Sequence, residues 1–444
     1  MIYKIKRKVV FKIVVLGVAL ASLMGCAKND KTEKESKVTV KKTVQKNDDK
    51  LDKFGYLNLE ENGEPDYYCI YDGDKNHHIE NQGTGETCWA YAAVSALEST
   101  LLKEREYFFS QEHMIKKMTN KKDRMGNHMM SLAYYLSWKG PVNKKDKKVA
   151  KHVQEARIIS EKKYADIKKC IREFGGVESS VYLEDGKKNK IKNYNKKNGS
   201  YAYLGHEEAN HEIVIIGWDD DYPKENFDNK GIEDNGAFIC VNSWGESFGK
   251  NGIFYVSYED TNIGKVAVCY SKVEKISNYD NIYQADLLGW KGSIGFDGSD
   301  TTYMANIYTA KSREMLKAVG FYATTPDVKY EVSVVKDYEG LDSLANSKMI
   351  DVKGEVSCRG FYTVNLNVDY MLKEGEKYAV IVKMVNKNPL DMTKLVAVEL
   401  DDGDIKKPIL KDGEGYISAD GKAWISSKDK NCNICLKAYS VNRD

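Results

Sequence analysis

The stretch from Asn81 to Thr100, NQGTGETCWAYAAVSALEST, constrains the fold more than any other part of the chain. Apolar residues recur at three- and four-residue spacing from Trp89 to Leu101, which predicts a helix of about four turns that begins at or just before Cys88. The hydroxyl and carboxylate side chains of the preceding turn suit a helix start. A cysteine at a helix N-terminus lies at the positive end of the helix dipole, so we expect a lowered pKa for the Cys88 thiol.

Two later stretches supply partners for a nucleophilic cysteine. His211 precedes an apolar, β-branched run at 213–218, so it stands at the entrance of a predicted buried strand. Asn242 follows a second strand-like run. Its amide could accept a hydrogen bond from an imidazole, and the Trp244 indole could exclude water from that contact. The residues alone leave open a packing or disulfide role for Cys88 and a neutral core histidine.

Together these stretches resemble the papain family of cysteine peptidases. Residues 82–89, QGTGETCW, follow the family pattern Q-G-x-x-G-x-C-W, except that the glycine falls at position 85 and Glu86 occupies the usual glycine site. Asn210-His211 and the run Asn242-Ser243-Trp244-Gly245 then complete the family order of Cys, His and Asn.

The resemblance implies an α+β papain-like fold over residues 56–275, with a helical half that carries Cys88 and a β-barrel-like half that carries His211. It also implies the catalytic roles. The Cys88 thiolate attacks the scissile carbonyl, and a protonated His211 gives its proton to the leaving amine. Asn242 holds the imidazole, while the Gln82 side-chain amide and the Cys88 backbone N–H stabilise the oxyanion.

The same resemblance implies three substrate-binding residues. Gly126 matches the family strand that hydrogen-bonds the substrate backbone, although Met125 stands where a first glycine is usual. Ala209 would form a small wall of the pocket next to the cleaved bond, and Trp244 is the third expected contact. Because no extra loop closes one end of the cleft, we expect an endopeptidase.

No metal ion or organic cofactor is expected. His206 and His211 enclose a stretch like H-E-x-x-H, but they lie five residues apart, and about 500° of helix rotation turns them off a common face. The nine cysteines show neither an even number nor dense clustering, so no disulfide framework is evident. The single C-x-x-C pair, Cys432 and Cys435, is explained by packing in a terminal strand or by one local bridge.

The first residues have the layout of a secretory signal. Residues 1–26 begin with lysine and arginine, continue as an apolar run and end in small residues. The run is shorter than the about 20 residues that a spanning helix needs. Its end, LMGC, resembles the lipobox of bacterial lipoproteins, which implies a lipid on Cys26; a plain signal peptide or a membrane anchor is the alternative. Residues 27–55 predict a flexible charged tether, and 56–71 could form a short pro-segment.

The sequence pattern changes after residue 275. Apolar and polar residues alternate between turns, and helical periodicity is largely absent, which predicts an all-β sandwich of two sheets over 276–444. This region resembles the lectin-like domain that follows a papain-type catalytic domain in surface peptidases of clostridia and relatives. Its Tyr, Trp and Asp side chains could bind cell-wall carbohydrate; a spacer or a domain that shapes the cleft is the alternative.

We therefore expect an exported cysteine endopeptidase, lipid-anchored to the outer face of the bacterial cell membrane, that cleaves extracellular or cell-envelope proteins. Its partners would be protein or peptide substrates, the membrane, and cell-wall carbohydrate if the lectin-like domain binds it. The 68 basic and 66 acidic residues give a formal net charge of +2, which offers no general electrostatic reason to bind nucleic acid. A Cys–His amidase of wall peptides and a non-catalytic surface binding protein or adhesin are the alternative functions.

Overall fold

The computed structural model describes most of the chain beyond residue 64. The described residues are 65–71, 78–120, 123–184, 191–347, 349–388, 394–403, 406–410 and 413–443. The predicted signal peptide at 1–26 with Cys26, the tether at 27–55 and most of the pro-segment at 56–71 lie outside them.

Residues 65–275 combine helices with strands. The helices are α1 (Cys88–Thr100), α2 (Gln111–Met118), α3 (His128–Leu136) and α4 (Tyr164–Glu173), with a short 3-10 helix at Lys224–Asn226. The strands are β1 (Tyr67–Cys69), β2 (Lys151–Ser160), β3 (Val177–Val181), β4 (Tyr194–Asn195), β5 (Ser200–Tyr201), β6 (His211–Asp219), β7 (Ala237–Val241), β8 (Ile253–Ser257) and β9 (Val266–Lys275). The helix predicted to begin at or just before Cys88 is confirmed.

Residues 276–443 are built mainly of strands. The one α-helix described there is α5 (Leu341–Ala345), and a 3-10 helix covers Ser427–Lys430. The strands are β10 (Asn281–Tyr283), β11 (Gly292–Ile294), β12 (Thr301–Thr309), β13 (Glu314–Ala323), β14 (Val328–Val335), β15 (Val352–Val356), β16 (Arg359–Leu372), β17 (Lys377–Asn386), β18 (Val396–Glu399), β19 (Glu414–Ser418), β20 (Ile425–Ser426), β21 (Asn433–Ile434) and β22 (Leu436–Asn442).

Helix α1 is buried on nearly all sides. Trp89, Ala93 and Leu97 are fully enclosed, and the helix packs against strand β6. A helix that is apolar around its whole circumference belongs in a core. Its alanines also leave room for the strand to approach closely, so Cys88 begins a rigid, fully packed element.

One long sheet contains strands from both parts of the chain. Its order is β10-β22-β13-β16-β2-β9-β3-β6-β7-β8-β5-β4, and β1 pairs with β6. The β5–β8 pair is parallel, whereas the β6–β7 pair, which positions two candidate catalytic residues, is antiparallel.

The junction between the two predicted domains is a strand pair. Strand β16 pairs with β2, and Gly360 lies opposite Arg157. Gly360 has φ +149, and a Cβ at this position would clash with the carbonyl oxygen of Ala156, so a glycine permits the close approach. The Thr363 hydroxyl also donates a hydrogen bond of 2.9 Å to Gln154 Oε1. The sequence analysis did not predict that one sheet would continue across this boundary.

A second core lies in the C-terminal part. It joins the long sheet to a six-stranded sheet of order β15-β14-β17-β12-β19-β20, and a three-stranded sheet, β11-β18-β21, borders it. Val332 and Val382 of the six-stranded sheet pack in this core with Leu316 and Phe321 of β13. Apolar side chains from both sheets therefore share one interior.

Two predictions about the rest of the chain can be compared with the structure. Cys432 and Cys435 are both buried and carry free thiols, so the packing explanation is confirmed and the local bridge is absent. Over the ranges given above, no helix is both long and apolar enough to cross a lipid bilayer.

Candidate active site

Cys88 begins helix α1 and has a half-buried side chain. Burial raises the pKa of its thiol to about 11, and the nearby Glu212 carboxylate adds to the rise. Backbone N–H groups of Glu212 and Trp89 hydrogen-bond to the sulfur and oppose the shift. The predicted lowering of this pKa is therefore wrong, because burial outweighs the N–H groups of the helix start.

His211 and Asn242 form a hydrogen-bonded pair at the ends of neighbouring strands. His211 begins β6 and Asn242 follows β7, and His211 Nε2 lies 2.9 Å from Asn242 Oδ1. Because an amide oxygen only accepts, Nε2 carries the hydrogen and Nδ1 is the nitrogen left to take a proton. Burial lowers the pKa of His211, while the hydrogen bond to Asn242 and the Glu212 carboxylate oppose that shift.

Trp244 covers this pair. Its ring centre lies 5.0 Å from that of His211 at an interplanar angle of 43°, and the Phe248 ring meets the indole edge-on at 5.0 Å. The indole is only 4 % exposed. The expected exclusion of water is therefore supported, whereas Trp244 offers little surface to the substrate for which it was also proposed.

Gln82 is held on the loop that follows Asn242. Its backbone N–H donates to the Ser243 carbonyl oxygen at 2.8 Å, and the Ser243 hydroxyl donates to Gln82 Oε1. The Gln82 Nε2 group donates to the Gly85 carbonyl oxygen at 2.5 Å. An amide nitrogen carries two hydrogens, so the fixed side chain can offer the second one to an oxyanion.

Gly126 and Ala209 occupy different surroundings. Gly126 lies against the Trp89 indole, where an added Cβ would come within 2.5 Å of the ring, and the Trp89 Nε1–H donates to the Arg124 carbonyl oxygen at 3.0 Å. The segment that contains Gly126 therefore runs beside the start of α1. Ala209 is half-buried and precedes Asn210. The Asn210 side chain accepts a hydrogen bond from the Leu183 backbone N–H at 2.7 Å and donates one to the Leu183 carbonyl oxygen at 3.0 Å.

Two residues of the site, Glu212 and His128, were missed from the sequence. Glu212 Oε1 lies 3.5 Å from Nδ1 of His128, and their side chains are 12 % and 23 % exposed. His128 begins α3, which Asn127 caps by accepting from two backbone N–H groups at 3.0 and 3.2 Å. A signal was present, because Glu212 is a charged residue directly between the candidate base His211 and an apolar run.

Within the described ranges, no group of three or more His, Cys, Asp or Glu side chains is arranged to hold a metal ion.

Comparison with known families divides the chain into two matched regions. Residues 71–273 match the family model of the papain family cysteine proteases, and residues 282–440 match that of the lectin like domain. The chain contains a papain-family cysteine peptidase domain followed by a lectin-like domain. It is thus a cysteine peptidase, a hydrolase.

Solved structures agree with this architecture. A clostridial cysteine protease, Cwp84 after propeptide cleavage, is 25 % identical, with a TM-score of 0.74 over 85 % of this chain and 99 % of that one. The cysteine protease and lectin-like domains of Cwp84, a surface layer associated protein of Clostridium difficile, are 24 % identical, with a TM-score of 0.73 over 86 % and 90 % of the two chains. A sequence search among curated proteins gives no significant match.

Proposed function

We propose that the protein is a surface-anchored cysteine endopeptidase that hydrolyses peptide bonds of extracellular or cell-envelope proteins with Cys88, His211 and Asn242. The arrangement of these residues supports the catalytic part of the proposal. The His211–Asn242 hydrogen bond of 2.9 Å lies under the Trp244 ring. The residue after His211, Glu212, directs its backbone N–H at the Cys88 sulfur.

The pKa shifts favour a neutral resting pair. The pKa of Cys88 is raised and that of His211 is lowered; both shifts oppose the thiolate and protonated imidazole that the sequence led us to expect, and favour thiol and imidazole in the free site. The proton of the Cys88 thiol then passes to His211 Nδ1 as the sulfur attacks the scissile carbonyl carbon. His211 next gives this proton to the leaving amine, and a water molecule cleaves the thioester by the reverse sequence.

Two donors stabilise the negative oxygen of the tetrahedral intermediate in this proposal. They are the Cys88 backbone N–H and the second hydrogen of Gln82 Nε2, whose side chain Ser243 and Gly85 hold in place. Fixed donors act strongly because they need no reorganisation during the reaction. Asn242 keeps the imidazole oriented, and Gly126 and Ala209 are the proposed contacts with substrate.

The proposed domain limits extend the matched regions. We assign 1–26 to a lipoprotein signal peptide, 27–55 to a tether, 56–275 to the peptidase domain with its helical and β-barrel-like halves, and 276–444 to a lectin-like sandwich. The shared core of the two sheets supports the last assignment.

The mature enzyme, in our proposal, keeps strand β1. Tyr67–Cys69 pairs with β6 in the catalytic sheet, and an added Cβ at Gly217 would clash with the Tyr68 carbonyl oxygen. Removing this strand would expose an edge of the sheet that carries His211. Any pro-segment within 56–71 would therefore end before Tyr67.

Surface location rests on two observations. The N-terminal residues read as an export signal with a lipobox that ends at Cys26, and the similar protein Cwp84 is a surface layer associated protein. A lipid on Cys26 would anchor the enzyme to the outside of the bacterial cell membrane. Its substrates would be proteins or peptides, and cell-wall carbohydrate would be a partner of the lectin-like domain.

The test is hydrolysis of casein and of a fluorogenic peptide library by residues 27–444. We expect cleavage within the chains that Cys88→Ala abolishes and that Cys358→Ala, a matched change of another half-buried cysteine, preserves. Cleavage of peptidoglycan fragments without cleavage of any protein would replace the proposal with an amidase. A folded protein that cleaves neither would support the adhesin.

A further inference from the structure

A row of three side chains crosses the outer face of the six-stranded sheet. Lys383 of β17 lies directly opposite Tyr303 of β12 on one side and Glu331 of β14 on the other. The sequence neighbours Met304 and Val332 are buried in the core between the sheets. Because side chains alternate along a strand, the row of three points away from that core.

A cavity of about 170 Å³ stands over this row. On one side it is closed by the end of α5 and the residues that follow, with Leu344, Ser347 and Ile350 in its wall. On the other side, Gly421 and Trp424 from the hairpin loop between β19 and β20 complete it. Its volume lies below the roughly 300–1,000 Å³ of pockets for drug-sized ligands, so it has room for one small ring.

The lining combines paired charges with aromatic rings. Lys383 Nζ donates to Glu331 Oε2 at 3.2 Å and lies 5.8 Å from the centre of the Tyr303 ring. The ring centres of Tyr303 and Trp424 are 6.4 Å apart at an interplanar angle of 77°. In the described part of the chain, the Trp424 Nε1–H is buried without a hydrogen-bond partner.

These features fit an uncharged ring that is apolar on its faces and polar around its edge. An aromatic ring can pack against C–H groups, while a carboxylate accepts from hydroxyl groups and an ammonium donates to them. The paired charges cancel, which disfavours a ligand of either sign.

We propose that this cavity binds a single neutral sugar ring. The ring stacks on Tyr303 and Trp424, and its hydroxyl groups bond to Glu331 and Lys383. This inference deepens the proposed carbohydrate-binding role of the lectin-like domain and rests on it. It assigns carbohydrate binding to the outer face of the six-stranded sheet.

The test is saturation-transfer NMR and calorimetry on residues 27–444 with separate glucose, galactose, mannose and N-acetylglucosamine probes. We expect at least one sugar to bind with millimolar affinity. Glu331→Gln and Trp424→Ala should each weaken that binding about tenfold or more. Glu355→Gln is the matched control, because Glu355 forms an ion pair with Lys387 on the same sheet, and it should leave binding unchanged.

Two outcomes would overturn the inference. Either no sugar of the panel binds the folded protein, or a bound sugar is indifferent to both Glu331→Gln and Trp424→Ala, which places it elsewhere. Peptide hydrolysis is measured on the same samples. Sugar binding without hydrolysis would defeat the peptidase proposal alone. Hydrolysis without sugar binding would defeat this inference and the carbohydrate-binding role on which it rests, and would leave the peptidase proposal intact.

Discussion

Polar side chains are shielded from water both in the cleft at Cys88 and in the buried ion pair of Lys437 and Asp286. The two places differ in the partners that surround the polar groups. Lys437 Nζ donates to both Asp286 oxygens at 2.7 Å and to Gln284 Oε1 at 2.8 Å, with the charged side chains 1 % and 0 % exposed. At Cys88 the neighbouring charge is the Glu212 carboxylate, which opposes formation of a thiolate.

The difference separates stability from reactivity. Removing one partner of a buried ion pair leaves the other charge buried and uncompensated, so the lectin-like domain should be sensitive to loss of either Lys437 or Asp286. A buried thiol without a compensating positive charge stays neutral until a base takes its proton. In the proposed mechanism that base is His211, and the following predictions test the contrast between the buried ion pair and the cleft.

The largest expected effect is a loss of stability when the buried ion pair of Lys437 and Asp286 is broken. Asp286→Ala leaves the Lys437 ammonium buried without its carboxylate and should lower the free energy of unfolding by about 3–5 kcal/mol, measured by urea denaturation. Asp297→Ala is the control, because Asp297 pairs with Lys394 while 97 % exposed; an exposed ion pair contributes little to stability, so this variant should lose far less. Equal losses in the two variants would remove the distinction.

The next largest effect is a loss of catalytic rate that leaves the stability of the fold unchanged. Gln82→Ala removes one proposed oxyanion donor and should lower kcat by about 10²–10³-fold, measured with a fluorogenic peptide. The urea midpoint should stay unchanged, because Gln82 is only half-buried. An unchanged kcat would show that Gln82 does not stabilise the transition state.

A smaller effect tests whether the two regions unfold together. Gly360→Ala places a Cβ against the Ala156 carbonyl oxygen at φ +149 and should destabilise the protein by about 1–3 kcal/mol in one cooperative thermal transition. Gly375→Ala shares a positive φ but faces open space, so it should cost less. Two separate transitions in the wild-type protein would contradict the shared sheet.

The smallest expected effect is a change in the pKa of Cys88 when a neighbouring charge is removed. The Glu212 carboxylate raises the pKa of Cys88, so Glu212→Gln should lower it and move the pH dependence of alkylation at Cys88 to lower pH. The reason is that less negative charge then opposes the thiolate. Glu207→Gln, on an exposed position, should leave the profile in place. A shift to higher pH in Glu212→Gln would reverse the assigned sign.

The sequence was sufficient for features that depend on local pattern. The spacing of apolar residues after Cys88 predicted α1, and the strand entrance at His211 and the strand end at Asn242 were recognisable from short runs. The Trp244 ring lies against His211, in line with the shielding that we expected of it. These residues are identified by their position relative to a helix or strand, which spacing and composition indicate.

Features that depend on distant contacts were not predicted. The raised pKa of Cys88 arises from burial by other elements and from Glu212, far along the chain. The approach of His128 to Glu212 and the pairing of Gly360 with Arg157 likewise join separate segments. Residue spacing carries no information about such contacts, so only the folded chain reveals them.

The central claim is that His211 activates Cys88. The most direct measurement is labelling of residues 27–444 under reducing conditions with an epoxide that carries a peptide-like backbone, followed by mass spectrometry. The account predicts one label per molecule, located at Cys88, in the wild-type protein and almost none in folded His211→Ala. Equal labelling of both proteins, or a folded wild-type protein that stays unlabelled at Cys88, would contradict it.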